Sequence, residues 1–218
     1  MDIGTSFYDY INAQIRSSIE QNLWNYVNGA SLDFDSLIPK TQMPESTDQN
    51  SINILNKKFL DFLRSKEIYF VTLLHRVDFE DGMTNDAIAF ILQNYQANES
   101  VTCNWLNEIY GKHQKDPLVL CGILRIIAFL RLKNAEAMFI PMIIASLKND
   151  AVECQEAALM LIEVLRTKEC LDAINSATFT SAWIQDYAQD IANDLKEELE
   201  SYANQENQVD RMLGPIQN

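Results

Sequence analysis

Apolar residues recur three and four positions apart through most of this chain, the spacing of one face of an α-helix. Phe7, Ile11, Ile15, Ile19, Leu23 and Tyr26 keep it over 5–26. Ile54, Leu55, Phe59, Phe62 and Leu63 keep it in a second helix that Ser51 can cap. The run EIYFVTLLHRVDF, 67–79, is dense enough in apolar residues for a strand, but it never alternates, and its neighbours are helical. Helix is therefore predicted there, with a break at Asp81-Gly82. Further helices are predicted at 84–96 (Ile88, Ile91, Leu92, Tyr95) and 101–111 (Val101, Trp105, Leu106, Ile109).

Asp116-Pro117 is a helix start. The carboxylate caps free N–H groups, and proline at the first helical position gives up no needed hydrogen bond. The helix it opens, to Leu132, is apolar almost all round, as befits an element covered by neighbours. The next helix spans 135–148. Asp150, with Glu153 three residues on, reads as a capping box for another whose inner face is Val152, Ala157, Leu161, Val164 and Leu165. A short helix fits 169–174. A last helix starts near Ser181, with Ile184, Tyr187, Ile191, Leu195, Leu199 and Tyr202 on one ridge.

Three regions follow: 1–50, a helix and a long loop whose stretch 29–50 holds two prolines and many Ser, Thr, Asp and Asn; 51–203, a helical domain; and 204–218, a polar tail expected to fray. The fold class is all-α. Helices of about 12–20 residues joined by short connections favour stacked antiparallel hairpins.

One unit carries a family likeness. In FIPMIIASLKNDAVECQEAALMLIEVL, 139–165, the positions Pro141, Leu147, Asp150, Val152, Ala157, Ala158 and Leu161 resemble the HEAT-repeat pattern. There a proline and a late leucine mark the first helix, and an aspartate, a valine and small residues mark the second. Glu153 stands where that family often has a basic residue, so the likeness is to a divergent HEAT-like or armadillo-like scaffold. The resemblance implies a right-handed superhelix of hairpins that presents a binding surface.

The composition is compatible with this. Hydrophobic residues make up 47% of 218, and Gly (6) and Pro (5) are scarce. The formal net charge of -14 repels nucleic-acid phosphates and suits a basic protein partner. No apolar run reaches the ~18 residues of a membrane span. The opening residues lack the pattern of a secretory signal, so a cytoplasmic protein is expected. Cys103, Cys121, Cys154 and Cys170 form no CxxC and sit among apolar residues, as buried reduced thiols do.

Candidate chemistry is thin. His75 and His113 lack the partners of a metal or catalytic site. Asp78, Glu80, Asp81 and Asp86 miss the EF-hand pattern, because Ala89 stands where its last ligand would be. No phosphate loop or nucleophile elbow occurs. No catalytic residue, cofactor or metal ligand is assigned. Arg125, flanked by apolar residues in ILRIIAFL, needs a carboxylate if buried, with Glu108, Glu156 and Glu163 as candidates; otherwise it points into a groove. Asp186, Asp190, Asp194 and Glu198 form an acidic ridge, which is either a solvated face or a receiver for Lys and Arg. Trp24, Trp105 and Trp183 are core or interface anchors.

The expected function is a non-enzymatic protein–protein interaction scaffold with an acidic surface. The narrower alternative is an immunity or antitoxin-like inhibitor, or a subunit of a bacterial defence complex. A further alternative is an enzyme on a HEAT-like scaffold, such as a DNA glycosylase, which would need a basic groove. A homodimer is a third arrangement.

Overall fold

The computed structural model describes residues 49–76, 79, 84–132 and 136–213. The helix expected at 5–26, the loop before Gln49, Trp24, and the acids Asp78, Glu80 and Asp81 lie outside them. Among the described residues there are nine α-helices and no strand: α1 (Gln49–Ser65), α2 (Glu67–Leu74), α3 (Asp86–Ala97), α4 (Glu99–Lys112), α5 (Pro117–Leu130), α6 (Glu136–Leu147), α7 (Val152–Leu165), α8 (Lys168–Asn175) and α9 (Ala182–Leu213). The all-α expectation therefore holds, and 67–74 is helix. No described helix is long and apolar enough to cross a membrane.

Short polar side chains set the boundaries. Asn85 accepts from Ile88 N at 3.0 Å, Asn98 from Val101 N at 3.1 Å, Asp116 from Val119 N at 3.4 Å and Thr167 from Cys170 N at 3.3 Å. Each satisfies an N–H that the first helical turn leaves free. The capping box expected at Asp150 is absent. Helix α7 starts after Ala151, whose N–H is held by Asn149 Oδ1 at 2.9 Å, and Glu153 is exposed. Helix α1 begins two residues before Ser51 rather than at it, and α9 continues past Tyr202 to Leu213, where a frayed tail was expected.

The helices pack in two rows. Helices α1, α4, α6 and α8 follow one another in one row, and α3, α5, α7 and α9 in the other, with α2 against α3 and α5. Pairs α3–α4, α6–α7 and α8–α9 cross between rows. The α5–α7 contact is the most extensive, which explains why α5 is apolar all round. Gly122 lets α2 pack closely on that centre: a Cβ there would lie 2.8 Å from Leu74 Cδ2, so a larger residue would force the Leu74 side chain to shift. Helices α5 and α7 are both 14 residues long and stop alike, at Arg131 and Arg166 in the left-handed region with φ of 49° and 53°.

Inside α6, Pro141 has no N–H for the carbonyl four residues back. Helix α4 supports the neighbouring turns: Asn107 Nδ2 donates to Met138 O at 3.1 Å, and Tyr110 OH donates to Met142 O at 3.0 Å while meeting Ser146 Oγ. Burial pushes the Tyr110 phenol up from 10.0 to about 12. A phenol kept neutral by the fold contributes stability that is whole below its ordinary value and is lost as pH climbs toward the folded one. Urea unfolding from pH 9 to pH 12 is expected to show the advantage of the wild type over Tyr110→Phe shrinking by about 2–3 kcal/mol. A constant difference across that range would mean the phenol is hydrated.

Candidate partner-binding face

Helix α9 is amphipathic, and its two faces have separate jobs. Ile184, Ala188, Ile191, Ala192 and Leu195 are buried against α7 and α8. Its entry is pinned by Gln155, which is only 1% exposed. The Gln155 amide donates to Leu147 O at 3.1 Å and to Thr178 O at 3.2 Å. Its oxygen accepts from Thr180 N at 3.1 Å and Thr180 Oγ1 at 3.0 Å. One side chain of α7 thus ties the end of α6 to the segment that launches α9. Tyr187 OH donates to Glu163 Oε2, and Arg166 Nε to Glu198 Oε2, both holding α9 to α7.

The four ridge acids therefore divide. Glu198 is half-buried and paired with Arg166. Asp186, Asp190 and Asp194 are exposed and, among the described residues, have neither an ion pair nor a hydrogen bond. They follow one another a turn apart on the outer face. Trp183, 52% exposed, lies in the turn before Asp186. Trp105 by contrast is fully buried. The tertiary structure thus sorts two tryptophans that are equivalent by sequence pattern.

Arg125 reaches Glu156 Oε2 at 3.1 Å, joining α5 to α7. The other two candidates are engaged elsewhere. Glu163 receives Tyr187, and Glu108 receives Arg64 twice, at 3.0 and 2.7 Å. Those hydrogen bonds hold the Glu108 carboxyl below its usual range and raise Arg64. Arg125 is thus a tie between two helices of one row.

The two histidines have structural partners. His75 Nε2 lies 2.8 Å from Asp116 Oδ2, and Lys112 Nζ lies 2.6 Å from Glu67 Oε2, with His113 3.5 Å from the same carboxylate. The four cysteines are buried and unbridged. Cys121 Sγ donates to Cys154 Sγ at 3.3 Å across α5–α7. That hydrogen bond and burial keep the Cys121 thiol protonated, and burial pushes Cys103 up to about 12, so neither supplies a thiolate at neutral pH. No cluster of three or more metal-ligating side chains occurs among the described residues. An open cleft of about 410 Å³ lies between α6 and α8, lined by Ile140, Ile144, Lys148, Glu169, Asp172 and Ser176 among others.

The interactions that sequence reasoning missed are Gln155, Arg166 and the exposure of Trp183. A lone amide within the inner stripe of α7 was the available signal for the first. The other two carry none, because they depend on what the fold brings near.

The fold and this face define an all-α protein of packed helices in two rows, closed on one side by a long helix with a carboxylate-lined exterior. The chain matches no protein-family model, no curated protein and no solved structure.

Proposed function

We propose that the chain is a non-enzymatic protein–protein interaction scaffold, a divergent HEAT-like stack that receives a basic partner on the outer face of α9. The observation that carries this reading is the set of three exposed, unpartnered carboxylates, Asp186, Asp190 and Asp194, headed by the half-exposed Trp183. Like charges a turn apart weaken a helix by about 0.2–0.5 kcal/mol per pair, so the fold gains nothing by keeping them. A partner's Lys and Arg side chains would offset that repulsion, and an aromatic anchor beside charges is a common centre of binding energy. The HEAT-like part is supported by the two-row packing and by the equal lengths and matching stops of α5 and α7.

The test compares the wild type with the triple variant Asp186→Asn, Asp190→Asn, Asp194→Asn. A protein that co-purifies with the wild type from the native host is expected to associate about tenfold more slowly with the variant, and to lose much of its ionic-strength dependence. The variant itself is expected to melt at the same temperature or slightly higher, because repulsion within α9 falls. Unchanged association kinetics with that partner would remove the acidic face from the binding site.

A further inference from the structure

Two buried thiols meet across the most extensive helix contact of the fold. Cys121 on α5 and Cys154 on α7 are 33 positions apart in the chain, yet their sulfurs stand 3.3 Å apart. A disulfide bond is about 2.05 Å long, so closing one here takes about 1.3 Å of movement, within reach of side-chain rotation. The register of the two helices is held beside the pair. Arg125, four residues after Cys121, reaches Glu156, two residues after Cys154, at 3.1 Å. One turn further along α7, Ala157 and Ala158 are fully buried, and side chains that small let helices approach closely.

The two sulfurs are not equivalent. Cys154 sits in the first turn of α7, where the helix dipole favours an anion, and it accepts the hydrogen bond from Cys121. That bond lowers the Cys154 thiol from its ordinary value, against burial and the nearby Glu153 carboxylate. Cys154 is therefore the better nucleophile of the pair. Cys121 is 7% exposed and Cys154 is fully buried, so access to Cys154 requires local opening. The place for it is the start of α7. Ala151 gives that helix no side-chain cap, whereas α3, α4, α5 and α8 each begin on one. The first turn of α7 is thus less firmly held than those four, and its fraying presents Cys154 to solvent.

We propose that Cys121 and Cys154 form a redox site, a dithiol that a hydroperoxide converts reversibly into a disulfide locking α5 to α7. In the first step the Cys154 thiolate attacks one peroxide oxygen. The O–O bond breaks, one water leaves, and Cys154 becomes a sulfenic acid. The thiolate that accepted the Cys121 hydrogen bond is then gone, and with it what chiefly held Cys121 protonated. In the second step Cys121 Sγ attacks Cys154 Sγ. The S–S bond forms as the S–O bond breaks, and the departing hydroxide takes the Cys121 proton as a second water. Two thiols are oxidised by two electrons and one hydrogen peroxide is reduced to two waters. A dithiol reductant restores both thiols by exchange through a mixed disulfide.

The test treats the full, folded chain with hydrogen peroxide. Thiol titration and non-reducing peptide mapping by mass spectrometry then follow the four cysteines. The wild type is expected to lose two of its four thiols, to gain one intrachain link between Cys121 and Cys154, and to melt about 5–10 °C higher. Dithiothreitol should reverse all three changes. Cys154→Ala should form no link, whereas Cys103→Ala should form it as the wild type does. The proposal is overturned if all four wild-type thiols survive, or if Cys154 ends as a sulfinic acid while Cys121 stays free. A mixture of pairings, as an unfolded chain would give, overturns it too, and so does a link that lowers Tm, which would not lock the seam.

Discussion

Replacing Trp105 with alanine is expected to lower the unfolding free energy by about 3–5 kcal/mol, a large part of the total stability of an ordinary domain. The indole is fully buried where three helices meet. Its ring centroid lies 5.2 Å from that of Phe70 on α2 and 6.1 Å from that of Phe90 on α3, and Phe70 and Phe90 stack at 5.7 Å. Truncation leaves a void that these rings cannot fill without moving their helices. Trp105→Phe separates packing from polarity. The indole Nε1 is buried and has no hydrogen-bond partner among the described residues, so phenylalanine removes an unsatisfied donor along with some volume. Its loss is expected to be less than half that of alanine. Urea unfolding of the three chains, followed by far-ultraviolet circular dichroism, gives the comparison. Near-equal losses for the two variants would show that the N–H is hydrated and the cluster loosely packed.

Gln155→Leu is the second large effect. Leucine has nearly the volume of glutamine, so packing is kept while four hydrogen bonds vanish. The carbonyl of Leu147 is then stranded in the core, whereas Thr178 and Thr180 are exposed and can turn to water. The expected loss is about 2–3 kcal/mol, concentrated at one place. Amides in the first two turns of α9 should exchange faster, while those of α3 and α4 should not change. Gln155→Glu keeps the acceptor for Thr180 but sets a buried carboxylate against the Leu147 and Thr178 carbonyls, so at neutral pH it should cost at least as much as leucine. If α9 exchanges as in the wild type while global stability drops, the amide matters to the core alone and not to how α9 is launched. The result bears on the proposed function, since the same amide positions the helix that carries Asp186, Asp190 and Asp194.

Much of the secondary structure was legible because its causes are local. Asp116-Pro117 announces α5 through one carboxylate and one missing N–H, and the three-to-four spacing of Ile184, Ile191 and Leu195 gives the buried side of α9. Where several short polar residues stand together, local reasoning misassigned the cap. Asp150 was expected to start α7, but the N-cap is Ala151, no side chain caps the first turn, and Asn149 Oδ1 holds only the Ala151 N–H ahead of it, which backbone geometry decides. The ridge acids were visible as a pattern, but their status was not. Glu198 meets Arg166 because α7 ends in a left-handed residue beside α9, while the other three have no cation in reach among the described residues.

By itself, then, the sequence determined that the chain is all-α, which faces of its helices are apolar, and that α5 lies at the centre. Periodicity and capping act within a few residues and need no partner. Only the tertiary structure decided that Glu156, rather than Glu108 or Glu163, completes Arg125, because Arg64 and Tyr187 occupy the other two. It also decided that Trp105 is core and Trp183 surface, and that the apolar side of α1 is only half covered. An amphipathic pattern states that a face prefers to leave water; which neighbour reaches that face is set by the packing of helices distant in the chain.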